Sequence, residues 1–418
     1  MAADLTTLNA ILKDDYKSYT DNLNNKAFLL AQVKTVTDSI TGRRATHSIH
    51  TGRSGAIGAA IEGAATPTAD QQRYATVQIP VRTQRARIQL TVQLIEQAKG
   101  DPGAFLDALD AEMKITNDVM RDVNRQLWGT SNGVIAQCGV TGASTTVVLA
   151  TTVTTQQLRH LYVGRQIDIG TVANPVLRTA TTRTIQSINL TAKTFVISGA
   201  AITTAATDFV FNTGSGGAST NTGLPGDGQV EFTGMQTIAS ATAILHTVDP
   251  SATPTWQAQV YSNAGTLRPL AESQIDLALL GAAAESGESP NLLCSNTGVF
   301  VAGKQILTGY QRNIDVTELP GGYTGIKWNT PGVSGSGAKD VAWYADFDCP
   351  ANMLFGINTS GLVFHQVKEG WQWMQEDGAI LSRVANSMAY EAVVFNLGDL
   401  ACKQRNKQFL ISDLSEAS

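Results

Sequence analysis

The sequence is short of charge. Asp, Glu, Lys and Arg supply 16% of its 418 residues, against about a quarter in ordinary globular chains. The formal net charge is −5 and the pI is near 5.6, so the basic footprint of a broad nucleic-acid binder is missing. Cysteine is scarce. Cys138, Cys294, Cys349 and Cys402 lie far apart with no C-x-x-C pair, which argues against zinc and fits reduced thiols in a protein made in a reducing cytoplasm. No stretch approaches the roughly eighteen apolar residues of a membrane span. The opening MAADLTTLNAILKDDYKSY lacks the basic start and unbroken apolar core of a signal peptide. Lysine is absent between Lys34 and Lys99, and there is no internal repeat.

Chemistry-bearing motifs are equally sparse. GVFVAGKQ (298–305) has the outline of a phosphate loop, but Val299, Phe300 and Val301 fill it and Gln305 stands where a Ser or Thr would hold magnesium. Its apolar spacing predicts the interior of a helix. His47 and His50 sit in HSIH, too extended a context to converge on a metal, and His160, His246 and His365 are isolated in sequence. No G-x-S-x-G elbow is present, because GVSGSG places Ser336 where the second Gly belongs. Trp256 and the WQW of Trp371–Trp373 lack a surrounding basic cluster and predict core or interface rather than base stacking. We expect no enzyme activity, no cofactor and no metal.

What the chain has is 43% hydrophobic residues and 38 glycines, enough for a sizeable core and the profile of a chain that sets much of its surface against other protein. Leu5, Leu8, Leu12, Tyr16, Tyr19 and Leu23 recur at helical spacing and form one narrow stripe that needs a cover. A small-residue loop, RSGAIGAAIEGAATPTADQQR, occupies 53–73. Loops this long inside a compact domain are uncommon and usually functional or disordered. The run RYATVQIPVRTQRARIQL follows it, with Val77, Ile79 and Val81 alternating at strand period, and Pro80 confines that strand to an edge or an extended arm. Residues 43–87 thus predict two extended legs joined by a soft tip. The legs carry Arg43, Arg44, Arg53, Arg73, Arg82, Arg85 and Arg87 against Glu62 and Asp70 only.

The clearest helix is predicted over 101–129, with Asp101 as N-cap, Pro102 in the first turn and Gly129 at the stop. At 1.5 Å per residue it would be about 40 Å long. Asp107, Asp110, Glu112, Asp118 and Asp122 outnumber Lys114, Arg121 and Arg125 on it, so an acidic rod follows a basic arm. Residues 139–213 read as short Thr-rich strands with turn signals at the spacing of a small all-β barrel or sandwich. A Gly/Ser-rich seam at 213–228 is where such a module would rejoin its host. Residues 245–400 read as α+β, with helices over 268–286 and 296–310.

The order and spacing of HTGRSGAIGAAIEGAATPTADQQ, AFLDALDAEMKITNDVMRDVNRQLWG, PTWQAQVYSNAG, WQWMQEDGAILSRV and KQRNKQFLISDL resemble the major capsid protein of tailed bacteriophages, with the Hong Kong 97-like capsid fold, over most of the chain. The resemblance implies an α+β fold with an N-terminal arm (1–42), an extended loop reaching over the adjacent subunit (43–87), a peripheral domain with a spine helix (88–138), an inserted β-rich domain (139–213), an axial domain (214–385) and a C-terminal return to the peripheral domain (386–418). It implies self-assembly of identical subunits, as hexamers and pentamers, into the icosahedral head shell of a double-stranded DNA phage. Assembly would occur in the host bacterial cytoplasm, and the mature location would be the virion. The implied partners are a separate scaffolding protein, a portal protein, a decoration protein where one exists, and DNA held by weak non-specific contact, with no membrane. The short segment before the arm leads us to expect an uncleaved N-terminus, and the lysine-free arm leads us to expect no covalent cross-linking between subunits. From charge complementarity we expect Arg53, Arg73, Arg82, Arg85 and Arg87 of one copy to meet Asp107, Asp110, Asp118 and Asp122 of its neighbour. Two other readings stay open on the residues alone: an encapsulin-like nanocompartment shell, and a β-rich hydrolase or adhesin.

Overall fold

Strand alternation organises the first leg of the chain. The computed structural model describes residues 27–37, 40, 42, 44–63, 65–94, 115–171, 178, 182–215, 230–310, 316–320, 323–330, 339–375 and 378–417. The N-terminal stripe, Asp107, Asp110, the first half of the expected long helix and most of the Gly/Ser-rich seam lie outside the described residues. Within them, β1 (Arg44–Gly52) and β2 (Arg73–Pro80) pair antiparallel, with Ala45 opposite Ile79, His47 opposite Val77 and Ile49 opposite Ala75. Val77 and Ile79 are fully buried while Arg44, Thr46, Ser48 and His50 face outward. The hairpin is thus dry on one face and wet on the other. After Val81 the chain resumes as β3 (Arg82–Thr91), where Arg82, Ile88 and Leu90 are buried and Thr83, Arg85, Arg87, Gln89 and Thr91 are exposed.

The chain divides into two units, and we take each in turn. The first draws on described residues within 84–121 and 368–396. The second draws on 27–83, 122–367 and 397–418. Helix α1 (Ile115–Trp128) is the described part of the expected helix; its last two turns, belonging to the second unit, bury Val123, Leu127 and Trp128.

The Thr-rich segment of the second unit is a β-module with its own core. Its strands run in the order Val134–Gln137, Asp208–Asn212, Gln166–Thr171, Arg183–Asn189, Thr194–Ile197, Thr146–Val148, every neighbour antiparallel. Ile135, Val147, Leu161, Ile167, Ile169, Phe195, Ile197 and Val210 fill it. The module begins at Val134 rather than at residue 139, because Val134–Gln137 is the edge partner of Asp208–Asn212.

A second sheet of seven strands holds Gln259–Tyr261, Phe409–Ile411, Leu354–Ile357, Leu292–Ser295, Lys339–Ala345, Tyr323–Thr330 and Val316–Leu319, in that order. Helix α2 (Glu272–Ser286) packs on it through Ile275, Ala278, Leu279 and Ala282 and stops at Gly287, whose φ of 80° is the left-handed cap that glycine adopts at least cost. It starts later than the expected residue 268, past Pro269. Helix α3 (Thr297–Tyr310) contains the whole GVFVAGK run. Val299 is buried there, and Gly303 lies so close under Trp343 that a Cβ would overlap the indole. The phosphate-loop outline is therefore helix packing.

Strand β4 (Leu362–Gln366) pairs antiparallel with the second half of β5 (Ala389–Cys402), and Lys34–Val36 adds in parallel on β4's other side. The first half of β5 pairs with Gln372–Trp373 and Ser382–Arg383 within the first unit, and β3 also pairs with β5. The final residues divide between two sheets. Residues 386–418 do not all return to the sheet of the first unit. Phe409–Ile411 instead inserts between Gln259–Tyr261 and Leu354–Ile357, where Phe409 and Ile411 lose all contact with solvent. The apolar pair Phe409/Ile411 closes the core of the seven-stranded sheet, and that burial decides its place.

Candidate assembly surfaces

The described residues of the hairpin tip, 53–63 and 65–72, have no regular structure, and almost all of them are exposed. Ile57 and Ile61 stand 86% and 84% exposed, an unusual state for two isoleucines on a loop of small residues. The tip is pinched at its neck. The Gly55 amide donates to the Asp70 carboxylate at 2.7 Å and the Ser54 hydroxyl donates to the Asp70 carbonyl at 3.2 Å. The Gly55 and Gln71 amides hold the Asp70 carboxyl below the usual carboxylate range. The stem is fixed to the body of the same unit. The Thr255 hydroxyl donates to the Thr51 carbonyl at 3.0 Å, and the Gln78 amide donates to the His246 carbonyl at 3.1 Å.

The structure distributes the expected charged residues unevenly. Arg53, Arg73, Arg85 and Arg87 are exposed, and Arg87 forms a 2.6 Å ion pair with Glu391 in its own unit. Arg82 is a correction. It is 3% exposed, lies 3.4 Å from the Asp399 carboxylate and donates to the Glu231 carbonyl, so its charge is consumed inside the chain. Asp118 is exposed.

Asp122 is also taken up internally. Its carboxylate accepts from Arg125 at 2.9 Å, from Arg165 at 2.7 Å and from Asn212 at 2.9 Å. Burial acts to raise its pKa, but Arg125 and Arg165 outweigh burial and hold it far below the usual range. Arg125 in turn reaches Glu231 at 2.6 Å. Helix α1, the β-module and the segment around Glu231 are thus tied by one charge network. Arg82 and Asp122 therefore leave the set of surface residues, and Asp107 and Asp110 lie outside the described residues.

A groove of about 880 Å³ runs beside β1, lined by His47, His50, Arg53, Trp256, Glu285 and Lys403, among others. The Nε2 atoms of His47, in its lining, and of His365 are 3.2 Å apart. This pairing was invisible in the sequence, where 318 positions separate the two rings. Among the described residues, no group of three or more His, Cys, Asp and Glu side chains is placed to hold a metal ion. No described helix is long and apolar enough to cross a membrane. All four cysteines are free and buried.

No protein-family model matches the chain, and no curated protein matches it in sequence. Solved structures do. One chain of the cyanophage A-1(L) capsid asymmetric unit superimposes with a TM-score of 0.53 at 10% identity, over 97% of this chain and 98% of that one. A chain from the capsid of the native GTA particle gives 0.48 at 10% identity over 98% and 97%. The holo-SrpI encapsulin complex of Synechococcus elongatus gives 0.44 at 9% identity over 99% and 96%. The first of these shares its fold with the present chain along nearly the full length of both.

Proposed function

We propose that this chain, folded as a phage capsid subunit is folded, is the major capsid protein of a tailed double-stranded DNA phage, and that its work is structural rather than catalytic. The observation that carries the reading is the whole-length likeness to a chain of the cyanophage capsid, 97% of one and 98% of the other. The hairpin supports it. A stem fixed to the body by Thr255 and His246 presents an exposed tip with two bare isoleucines, and an element of that kind finds its apolar cover on another molecule. The β-module spanning Val134–Asn212 is then the inserted domain of a Hong Kong 97-like shell subunit, and the seven-stranded sheet is its axial domain.

In this reading the tip of one copy lies across its neighbour. Arg53, Arg73, Arg85 and Arg87 of the hairpin and β3 meet Asp107, Asp110 and Asp118 of that neighbour. Exposed pairs contribute about 0–1 kcal/mol each and set orientation and register. Burial of the isoleucines supplies adhesion at about 25 cal/mol per Å². Hexamers and pentamers of identical chains, built on a separate scaffolding protein around a portal, would close into a shell holding DNA by weak contact.

Expression of the full chain, with negative-stain microscopy and sedimentation, tests this. Closed shells or capsomers are the expected result, and packaged nucleic acid rather than packaged protein is the expected content. A species that stays monomeric at 44 kDa under every ionic and concentration condition would overturn it.

A further inference from the structure

Two histidines that are strangers in the sequence meet at the root of the hairpin, and a third lies within their electrostatic reach. His47 comes from β1, His365 from β4, and His246 from the turn 245–248. The His47 and His365 rings have centroids 5.2 Å apart, and their Nε2 atoms are 3.2 Å apart. Two imidazole nitrogens at that distance share one proton: one donates and the other must accept with its lone pair. One added proton still leaves an imidazolium donating to a neutral imidazole; once both rings are charged no acceptor remains and two cations stand in contact. His246 is 6% exposed, its Nε2 has no hydrogen-bond partner, and its φ of 49° is left-handed. Its carbonyl receives the Gln78 amide of β2. The two strands of the hairpin are therefore each held by a histidine-bearing element of the body.

The charged groups around the cluster are mostly of one sign. Arg82 at the start of β3, Lys403 just after β5 and Arg405 in the 405–407 turn act on these rings. Asp399, which pairs with His365 across the strands, is engaged by Arg82 and by the Thr233 amide and hydroxyl at 2.6 and 2.9 Å. Arg405 is spent on the carbonyls of Thr237, Ile238 and Ala243. Glu231 is held by Arg125. Glu285 is the one acidic residue lining the groove that reaches His47. Among the described residues, the groups that act on the three rings are Lys403, Arg82, Arg405 and the rings themselves, and the groove gives the His47 end access to water. A cation is disfavoured beside Lys403, which leaves proton chemistry.

We propose that the His47–His365–His246 cluster is an acid-operated latch: neutral, it fastens the hairpin stem to the body; protonated, it releases the stem while the body stays folded. Burial, then Lys403, lowers the His47 pKa; burial, then His47 and Lys403, lowers His365 to about 4; burial, then Arg82 and Arg405, lowers His246 to about 3. Each folded value lies below the free value of 6.5. The attachment is therefore complete above about pH 6.5 and weakens as pH falls toward the folded values, where the released form binds the extra protons. The latch is a property of the single chain and does not depend on shell assembly.

Hydrogen exchange of the full chain, read by mass spectrometry at about pH 7 and about pH 4.5 and corrected for intrinsic rates, tests it. Leu354–Ile357, in the seven-stranded sheet, is the internal reference. In the wild type, protection of β1 and β2 should fall by about tenfold or more relative to that reference on acidification. In the double variant His47→Gln/His365→Gln the fall should shrink at least about threefold, because an amide cannot take the proton. Equal wild-type protection at the two pH values overturns the latch, as does an acid response of full size in the variant. If the double variant also loses protection in the reference strand, His47→Gln alone, which alters only the hairpin side of the pair, decides by the same two criteria.

Discussion

Arg82 and Asp399 form an ion pair sealed from solvent, their side chains 2% and 0% exposed and 3.4 Å apart. Asp399 also caps the Thr233 amide and hydroxyl, and Arg82 also donates to the Glu231 carbonyl. One contact thus fastens the start of β3 to the 231–233 segment. Such a pair is weak evidence of net stabilisation, since desolvating both partners is costly, but removing one partner strands a buried charge. Arg82→Met should cost about 3–5 kcal/mol of stability, read as a shifted midpoint in urea. A loss below about 0.5 kcal/mol, the range of an ordinary surface change, would contradict the burial.

The neighbouring arginines should behave differently. Arg73→Glu and Arg85→Glu sit on the wet faces of their strands and should leave the unfolding midpoint within about 0.5 kcal/mol. If they serve the contact proposed between copies, the double variant should assemble more slowly or into misshapen products, with a defect that shrinks as salt rises. Light scattering of assembly at low and high salt reads this out. Normal shells at the normal rate would remove the charged contact from the proposal.

Asp122 predicts the shape of acid unfolding. Its folded pKa lies far below the unfolded value near 3.9. Its stabilising contribution is therefore whole above about pH 4 and disappears as pH falls further. The histidine cluster acts in a different window, below about pH 6.5. Asp122→Asn should destabilise the neutral protein by about 3–5 kcal/mol, since Arg125 and Arg165 lose their shared anion. It should also flatten the stability profile below about pH 4 while leaving the slope between about pH 4 and 6.5 intact. Midpoints of urea unfolding across pH would separate the two.

Gly356 meets the Phe409 ring so closely that a Cβ would overlap it. Gly356→Ala should cost about 1–3 kcal/mol, the usual cost of overpacking. Gly356→Ala with Phe409→Leu should recover part of the loss, because the smaller side chain vacates the contested volume. Non-interacting single effects in that double-mutant cycle would show that the two positions do not touch.

Much of this was readable before the fold was known. Alternation in RYATVQIPVR identified the hairpin leg, and helical spacing identified α1 and α3, because those signals live within one element. The buried state of Arg82 was legible too, had parity been followed. Arg82 shares the even register of Ile88 and Leu90, while Arg85 and Arg87 share the odd register that faces water. Counting arginines along the arm averaged over that distinction. Other features had no local signature. Nothing near His47 points to His365 or His246. Nothing near Asp122 points to Arg165, although its i,i+3 partner Arg125 was in plain view. The berth of Phe409–Ile411 likewise depends on strands far upstream, and only tertiary packing distinguishes one sheet from another for three apolar residues.

That berth also sets a clock. The second strand of the seven-stranded sheet is made some 150 residues after the Gln259–Tyr261 edge it joins, and emergence from the ribosome runs at about 5–20 residues per second. A nascent chain must therefore wait roughly 10–30 s with an unfilled slot in its largest sheet. In a polysome-bound copy the slot between Gln259–Tyr261 and Leu354–Ile357 stays open until residue 411 clears the exit tunnel, so the fold closes only at the end of synthesis.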